Sequence, residues 1–281
     1  HRSSRGNKYF SNFKCPGSGW REWLFQINKN DFCDMLDDLL TTRRADTRFQ
    51  YDGYKFMEQV YTDLDSVWSD VNKMVDGIRK KHGVKFIFAC PTNKNKMAMG
   101  EKMIQDDEKS TKALMIQFRL PIQYWDYAMA SALEARRLFP IRRNVKAPDG
   151  SGSAPWTLAT SEQVSHGMVM KSVGRFVSCG TVAVCGNSKI IGSNAENPIR
   201  QSVAMAIRME GSPPNLVVWR ELATGIEFHC NDFSVLPMPW GTSGYARFGL
   251  PCPPLTNVAV DRDEDYHALI TQLIQLDGLG L

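Results

Sequence analysis

Apolar and polar positions in the first half of the chain predict strands that alternate with helices. Two apolar runs flank the turn sequence CPGSG, and this pattern predicts a β-hairpin. The predicted elements are strands over 9–13 and 23–27, a helix over 31–42, a strand over 59–62, a helix over 66–81, a strand over 84–89, and helices over 98–117 and 122–138. Antiparallel strands followed by alternating strands and helices predict an α/β layer fold.

The pattern changes after a Gly-, Ser- and Pro-rich stretch, KAPDGSGSAP, which is typical of a linker. Short apolar runs between Gly and Pro residues then predict strands over 175–178, 181–185, 201–208, 215–220, 226–230 and 233–236. Such short strands favour a small all-β barrel. We therefore predict a first domain over 1–145, a linker over 146–163, a small β-barrel domain over 164–250, and a tail over 251–281 with a short helix.

Composition places the chain among globular proteins. It has 281 residues, of which 43% are hydrophobic and 23% are charged. No apolar run approaches the roughly 18 residues that cross a membrane, and no basic-then-apolar leader is visible. We therefore expect an intracellular protein without a membrane partner. Because the sequence begins at His1 rather than at Met, we expect a fragment or a processed product.

The seven cysteines are scattered along the chain, and none forms a C-x-x-C pair. The sequence also lacks two histidines at the spacing of a zinc finger. The cysteine pattern therefore favours reduced, partly buried thiols in an intracellular protein.

The net charge of +4 hides an uneven distribution of charged residues along the chain. Residues 1–146 carry 26 Lys and Arg against 18 Asp and Glu, whereas residues 147–281 carry 8 against 12. The first half is the better candidate for a surface that binds a polyanion. A solvated basic face without any partner explains the same numbers.

Two acidic residues are the candidate chemical centre. Asp63 falls at the end of a predicted strand, and Glu101 falls in the first turn of a later predicted helix. In an α/β fold these positions share one edge of the sheet, where two carboxylates can hold Mg²⁺ or Mn²⁺. Helix capping and helix-dipole compensation are the alternative explanation of such residues.

The order and spacing of several segments carry a family resemblance. They are GNKYF (6–10), GWREWLFQINKNDF (19–32), VYTDLDSVW (60–68), HGVKFIFACP (82–91), the interval 91–101, LPIQYWDYAMASALEARRLFP (120–140) and the run 175–250. Together they resemble the integrase region of copia-type retrotransposons, and divergent copia-like elements of microalgae in particular. The resemblance covers nearly the whole chain.

This resemblance implies an α/β RNase H-like core followed by a small SH3-like barrel. It implies that Asp63 and Glu101, with 37 residues between them, are the second and third carboxylates of an Asp-Asp-Glu triad. The implied activity is Mg²⁺- or Mn²⁺-dependent DNA strand transfer. The implied partners are the element's DNA ends, the target DNA and further copies of the chain, in the nucleus or in a cytoplasmic retrotransposon particle.

The chain departs from the family pattern at three places. The family's first Asp lies on a strand before GNKYF, but residues 1–5 contain no acid. Leu64 and Asp65 stand where the family has Asn-Gly, and the helix after Glu101 is acidic rather than basic. We therefore expect a core that lacks its first strand, and no catalysis by this fragment. An integrase-derived, non-catalytic nucleic-acid-binding or structural module is the alternative, and an unrelated RNase H-like nuclease would need the same missing Asp.

Several basic residues are candidates for contacts with nucleic-acid phosphates. They are Arg79, Lys80, Lys81, Lys109, Lys112, Arg136 and Arg137. The groups at helix ends also fit compensation of the helix dipole, and Lys112 fits an i,i+4 pair with Glu108.

Overall fold

The computed structural model describes residues 2–50, 55–62, 72–88, 94–139, 154–160, 164–186, 189–190, 202–222 and 224–236. The chain divides into two units. We call Arg5–Asp107 with Arg136–Met170 the hairpin unit, and His1–Ser4, Glu108–Ala135 and Lys171–Leu281 the sheet unit. The predicted domain boundaries at 145, 163 and 250 lie outside the described residues and stay predictions.

The hairpin unit contains the predicted order of strands and helices. Its elements are β1 (Tyr9–Lys14), β2 (Arg21–Gln26), α1 (Phe32–Ala45), β3 (Gln59–Thr62), α2 (Asn72–His82) and β4 (Lys85–Phe88). Short 3₁₀ turns at Lys29–Asp31 and Thr47–Phe49 flank α1. The described ends of β1, β2 and α1 differ from the predicted ends by at most three residues, because helix and strand ends are the least determined part of a sequence pattern.

The four strands of the hairpin unit form two separate two-stranded sheets. β1 and β2 are antiparallel, as the predicted hairpin requires. β3 and β4 are parallel, with Gln59 opposite Lys85 at one end and Thr62 opposite Phe88 at the other. Because the pair is parallel, both strands begin at one edge and end at the other.

Large aromatic side chains form part of the interior of the hairpin unit. Trp20 packs edge-on against Phe49 and Trp156, with ring centroids 5.2 Å and 4.6 Å apart. Trp156 belongs to a short helix, α5 (Pro155–Ala159), which lies inside the stretch predicted as a linker. Pro155 at the first helical position suits this start, and burial of the Trp156 side chain favours the helix.

Three helices connect the two units. They are α3 (Lys94–Gln117), α4 (Trp125–Leu138) and α6 (His166–Gly174), and the division between the units passes through each of them. The predicted strand over 175–178 is wrong. The amides of Arg175 and Phe176 instead donate hydrogen bonds to the carbonyl groups of Ser172 and Val173, which close the end of α6.

The sheet unit contains a six-stranded antiparallel sheet in the order β10-β5-β7-β8-β9-β6. Its strands are β5 (Val182–Cys185), β6 (Lys189–Ile190), β7 (Ser202–Gly211), β8 (Pro214–Glu221), β9 (Glu227–His229) and β10 (Phe233–Val235). Five of these strands match predicted ones, and β6 was not predicted. Two residues are too few for alternation to be recognised in a sequence.

Alternate residues of the sheet enter two different apolar clusters. Met205, Ile207 and Val218 pack with Leu120 and Tyr127 near α3 and α4. On the opposite face, the buried residues are Ala183, Cys185, Ala204, Ala206, Val217, Trp219, Phe228 and Cys230. The two-residue period of a strand explains this division, because successive side chains point to opposite faces.

Candidate functional site

The site predicted from Asp63 and Glu101 depends on the edge where β3 and β4 end. Thr62 is the last residue of β3, and Asp63 is the next residue of the chain but lies outside the described residues. β4 ends at Phe88, opposite Thr62, and α3 begins at Lys94. The described strand ends therefore provide the edge on which the prediction relies, and the position of Asp63 itself is not described.

Glu101 lies further along its helix than the sequence pattern predicted. The predicted helix began at about 98, whereas α3 begins at Lys94. Glu101 is therefore about 10 Å beyond the helix start, or two turns, at a rise of 1.5 Å per residue. Its side chain is exposed. The prediction of a first-turn position is wrong, and with it the alternative that Glu101 caps this helix, because capping acts within the first turn.

The exposed face of α3 around Glu101 carries charges of both signs. Lys102 pairs with Asp106 at 3.1 Å, one turn further along the helix. Glu108 and Lys109 are also exposed. This mixed face does not form a basic stripe, so phosphate binding at α3 would depend on individual lysines.

Asp107 instead lies on the buried stripe of α3 and binds two arginines. Its carboxylate accepts hydrogen bonds from Nη1 of Arg21 at 2.7 Å and 2.5 Å and a further one from Nδ2 of Asn12, and Nε of Arg136 lies 3.4 Å away. Burial raises the pKa of Asp107, against the charges of both arginines, and burial also lowers the pKa of Arg21. Both pKa directions show that desolvation opposes this pair.

A second buried ionic group lies beside the first and contains Glu22. Its carboxylate accepts hydrogen bonds from Arg137 Nη2 at 2.6 Å and from Arg43 Nε at 2.6 Å. The guanidinium carbon of Arg137 also lies 4.3 Å and 4.0 Å from the ring centroids of Trp20 and Trp23. The side chain of Arg137 is only 5% exposed. Arg137 is therefore an interior residue, and we leave it out of the nucleic-acid candidates.

The basic group at the end of α2 lies at the other edge of the parallel pair. Arg79 pairs with Asp76 at 2.9 Å, and Lys81 pairs with Asp37 at 2.6 Å, whereas Lys80 is exposed. Because α2 leads directly into the first residue of β4, this group is at the edge where β3 and β4 begin. The structure does not bring it together with Glu101.

The remaining basic candidates differ in exposure. Lys109 is exposed and Lys112 is half-buried on α3. Arg136 is half-buried, and besides its contact with Asp107 it donates a hydrogen bond to the carbonyl of Asp106 at 2.8 Å. Lys109 is therefore the most accessible of the three to a phosphate.

The sequence reasoning missed the two buried ionic groups. One signal was present, since Asp107 stands four residues from Met103 and four from Thr111, in the same stripe as Met115. A charged residue inside an apolar helical stripe indicates a buried partner of opposite charge.

Metal and membrane features give two negative findings for the described part of the chain. It holds no group of three or more His, Cys, Asp or Glu that could bind a metal ion. It also holds no helix that is long and apolar enough to span a bilayer.

Comparisons with known proteins found structural similarity only at a low level. No family model and no curated protein matches the chain. Among solved structures, a chain of the cryo-EM structure of the simian T-cell lymphotropic virus intasome, in complex with the PP2A regulatory subunit B56 gamma, is similar at 13% identity. The match covers 82% of this chain and 77% of that chain, with a TM-score of 0.37. A similarity of this size carries no argument about function.

Proposed function

We propose that the chain is an integrase-related protein with an RNase H-like core, followed by a small SH3-like barrel. In this proposal Asp63 and Glu101 hold one Mg²⁺ or Mn²⁺ ion beside DNA. Further copies of the chain are proposed partners, and the nucleus or a cytoplasmic retrotransposon particle is the proposed location.

The parallel pairing of β3 and β4 is the observation that carries this proposal. Both strands end at one edge, with Thr62 opposite Phe88. The residue after Thr62 is Asp63, and α3, which bears Glu101, is the next element after β4. In chain order, Asp63 thus follows one strand end directly, and the helix that bears Glu101 follows the other.

The fold part of the proposal has its own support. β1 and β3 each pair with one strand among the described residues, in separate sheets. One additional strand that paired with both β1 and β3 would join the two sheets into one. Backbone groups at the edges of sheets favour such pairing.

The donor chemistry fits one hard divalent cation. Two carboxylates with water and phosphate oxygens form a ligand set that Mg²⁺ accepts, whereas two carboxylates are too few for a pair of ions. When bound, the ion would reduce the negative charge at a phosphate. The exposed carboxylate of Glu101 is free to turn toward a ligand, and Lys109 can contact a phosphate.

Joining of DNA oligonucleotide ends in the presence of Mg²⁺ tests whether Asp63 and Glu101 support DNA strand transfer. If the chain joins ends, Asp63→Asn and Glu101→Gln each abolish joining, because each replaces a metal-binding carboxylate with a neutral amide. Glu108→Gln is the matched control on the same helix and leaves joining unchanged. Joining that survives in both site variants would refute the assignment of the site.

A second candidate function is a nucleic-acid-binding or structural module without catalysis. Two observations argue against the tight DNA binding that catalysis requires. The exposed face of α3 carries charges of both signs, and Arg137 of α4 is an interior residue. In this case wild type and Asp63→Asn bind DNA equally, and neither joins ends. Affinity that falls steeply with salt would support phosphate contacts, and an affinity indifferent to salt would exclude them.

A further inference from the structure

Two buried cysteines meet in the interior of the sheet unit. Cys185 is the last residue of β5, and Cys230 follows β9 directly. Both belong to the same apolar cluster and are 0% and 2% exposed. Gly186 follows Cys185 in the chain, and Sγ of Cys230 contacts the carbonyl oxygen of Gly186.

Backbone contacts hold the two thiols at this place. Phe233 of β10 pairs with Cys185, and the amide of Gly186 donates a hydrogen bond to the carbonyl of Asp232 at 2.8 Å. Sγ of Cys230 lies 2.9 Å from the carbonyl oxygen of Asp232 and 3.4 Å from that of Gly186. The turn between β9 and β10 therefore lies against the end of β5, beside Cys185.

We propose that Cys185 and Cys230 are an oxidisable dithiol, which hydrogen peroxide converts to a disulfide between β5 and the turn from β9 to β10. This inference is independent of the proposed metal site at Asp63 and Glu101. It assigns a covalent modification site to the sheet unit, and the chemical class of its reactant is a peroxide.

The reaction balances with one molecule of peroxide. The sulfur of one thiolate attacks a peroxide oxygen, the O–O bond breaks, and the departing hydroxide takes up a proton as water. The second sulfur then attacks the resulting sulfenic acid, the S–S bond forms, and the S–OH bond breaks to release a second water. Two thiols lose two electrons and two protons in total.

Neither thiol is activated in the folded chain. Burial raises the pKa of both thiols, so both are protonated while they stay in the interior. Because both thiols are buried, the reaction requires local opening of the turn and is slow compared with that of an exposed thiol.

The disulfide would reduce the number of conformations that the unfolded chain can adopt. It would close a loop that includes β6, β7, β8 and β9. Loop closure of this size raises the melting temperature by about 5 °C or more if the bond forms without strain.

Peptide mapping of the oxidised full chain tests the proposal. The protein is treated with peroxide, denatured, alkylated at its remaining free thiols, digested and analysed by mass spectrometry. We expect a cross-linked peptide pair that contains Cys185 and Cys230 and is lighter than the two reduced peptides by two hydrogen atoms. We also expect the melting temperature to rise and to return after reduction.

Cys33→Ala is the matched control, because Cys33 is another buried thiol in the hairpin unit. The cross-link should persist in Cys33→Ala and disappear in Cys230→Ala. Wild-type mapping decides the question even if Cys230→Ala fails to fold. Full alkylation of both cysteines after an exposure that oxidises Cys15, or a disulfide to any other cysteine, would overturn the proposal.

Discussion

The interiors of the two units are built from different chemistry. In the hairpin unit, Asp107 and Glu22 are buried with arginine partners beside aromatic rings. In the sheet unit, Ile207 and Trp219 represent two clusters of apolar side chains on opposite faces of one sheet. Helix α3 contributes to both interiors, because it carries Asp107 in the hairpin unit and Met115 in the sheet unit.

This difference predicts different responses to mutation. A buried ion pair gains little net stability, because desolvation offsets the attraction, but the loss of one partner leaves a charge without compensation. An apolar cluster loses stability in proportion to the volume removed. The ionic interior is therefore sensitive to single changes and tolerant of paired ones.

The largest expected effect is the loss of Asp107. Asp107→Ala leaves Arg21 buried without its partner and should lower the free energy of unfolding by about 3–5 kcal/mol. Equilibrium unfolding in urea measures the change. Asp76→Ala removes the acid of an exposed pair and should cost under about 1 kcal/mol. Equal losses in the free energy of unfolding for both variants would show that burial does not make the loss of one partner more destabilising.

An apolar truncation in the sheet unit should cost slightly less. Ile207→Ala removes a fully buried side chain and should lower the free energy of unfolding by about 3 kcal/mol. The loss should be the same at low and high salt, because no charge is involved. Ile104→Ala on the exposed face of α3 is the control, with an expected change within about 0.5 kcal/mol. A strongly salt-dependent loss for Ile207→Ala would contradict this account.

Replacing both partners of the buried pair should restore most of the loss. The double variant Arg21→Met, Asp107→Leu removes both charges and keeps the volume, so it should unfold within about 1–2 kcal/mol of wild type. Arg136, being half-buried, can turn its charge toward water. A double variant that is less stable than Asp107→Ala would mean that the charges themselves stabilise the hairpin unit.

The smallest predicted effect concerns acid stability. Hydrogen bonds from Lys81 and then from His82 lower the pKa of Asp37. Asp37 therefore contributes to the free energy of unfolding at a pH above its ordinary pKa. This contribution is lost as the pH falls through the lowered pKa of the folded state. Below about pH 4, the free energy of unfolding should therefore fall by about 0.5 kcal/mol less in Asp37→Asn than in wild type. Asp38→Asn, at an exposed position of α1, should leave the decline unchanged, and an equal change in both variants would reject the role of Asp37.

Regular alternation made much of the fold predictable. β3 matches its predicted range over 59–62, and the hairpin, α1 and five strands of the larger sheet lie close to theirs. The start of α3 was missed because Lys94, Asn95 and Lys96 give no apolar period. Helix α5 was missed because its Pro- and Ser-rich surroundings are typical of a linker, and burial of Trp156 overrides that local preference.

The candidate site was less predictable than the fold. Periodicity placed Glu101 on a helix but gave the wrong turn, since helix ends depend on tertiary contacts. Charge alone grouped Arg137 with surface residues, although Glu22 and two tryptophan rings enclose it. A pattern of single residues contains no information about such long-range partners.

Direct measurement of metal binding tests the central claim, that Asp63 and Glu101 share one divalent ion. Electron paramagnetic resonance of Mn²⁺, titrated with the full chain, reports the loss of the free-ion signal on binding. The account predicts one site in wild type and in Glu108→Gln, and a large loss of affinity in both Asp63→Asn and Glu101→Gln. Unchanged affinity in the two site variants, or a loss in only one of them, would contradict a shared ion.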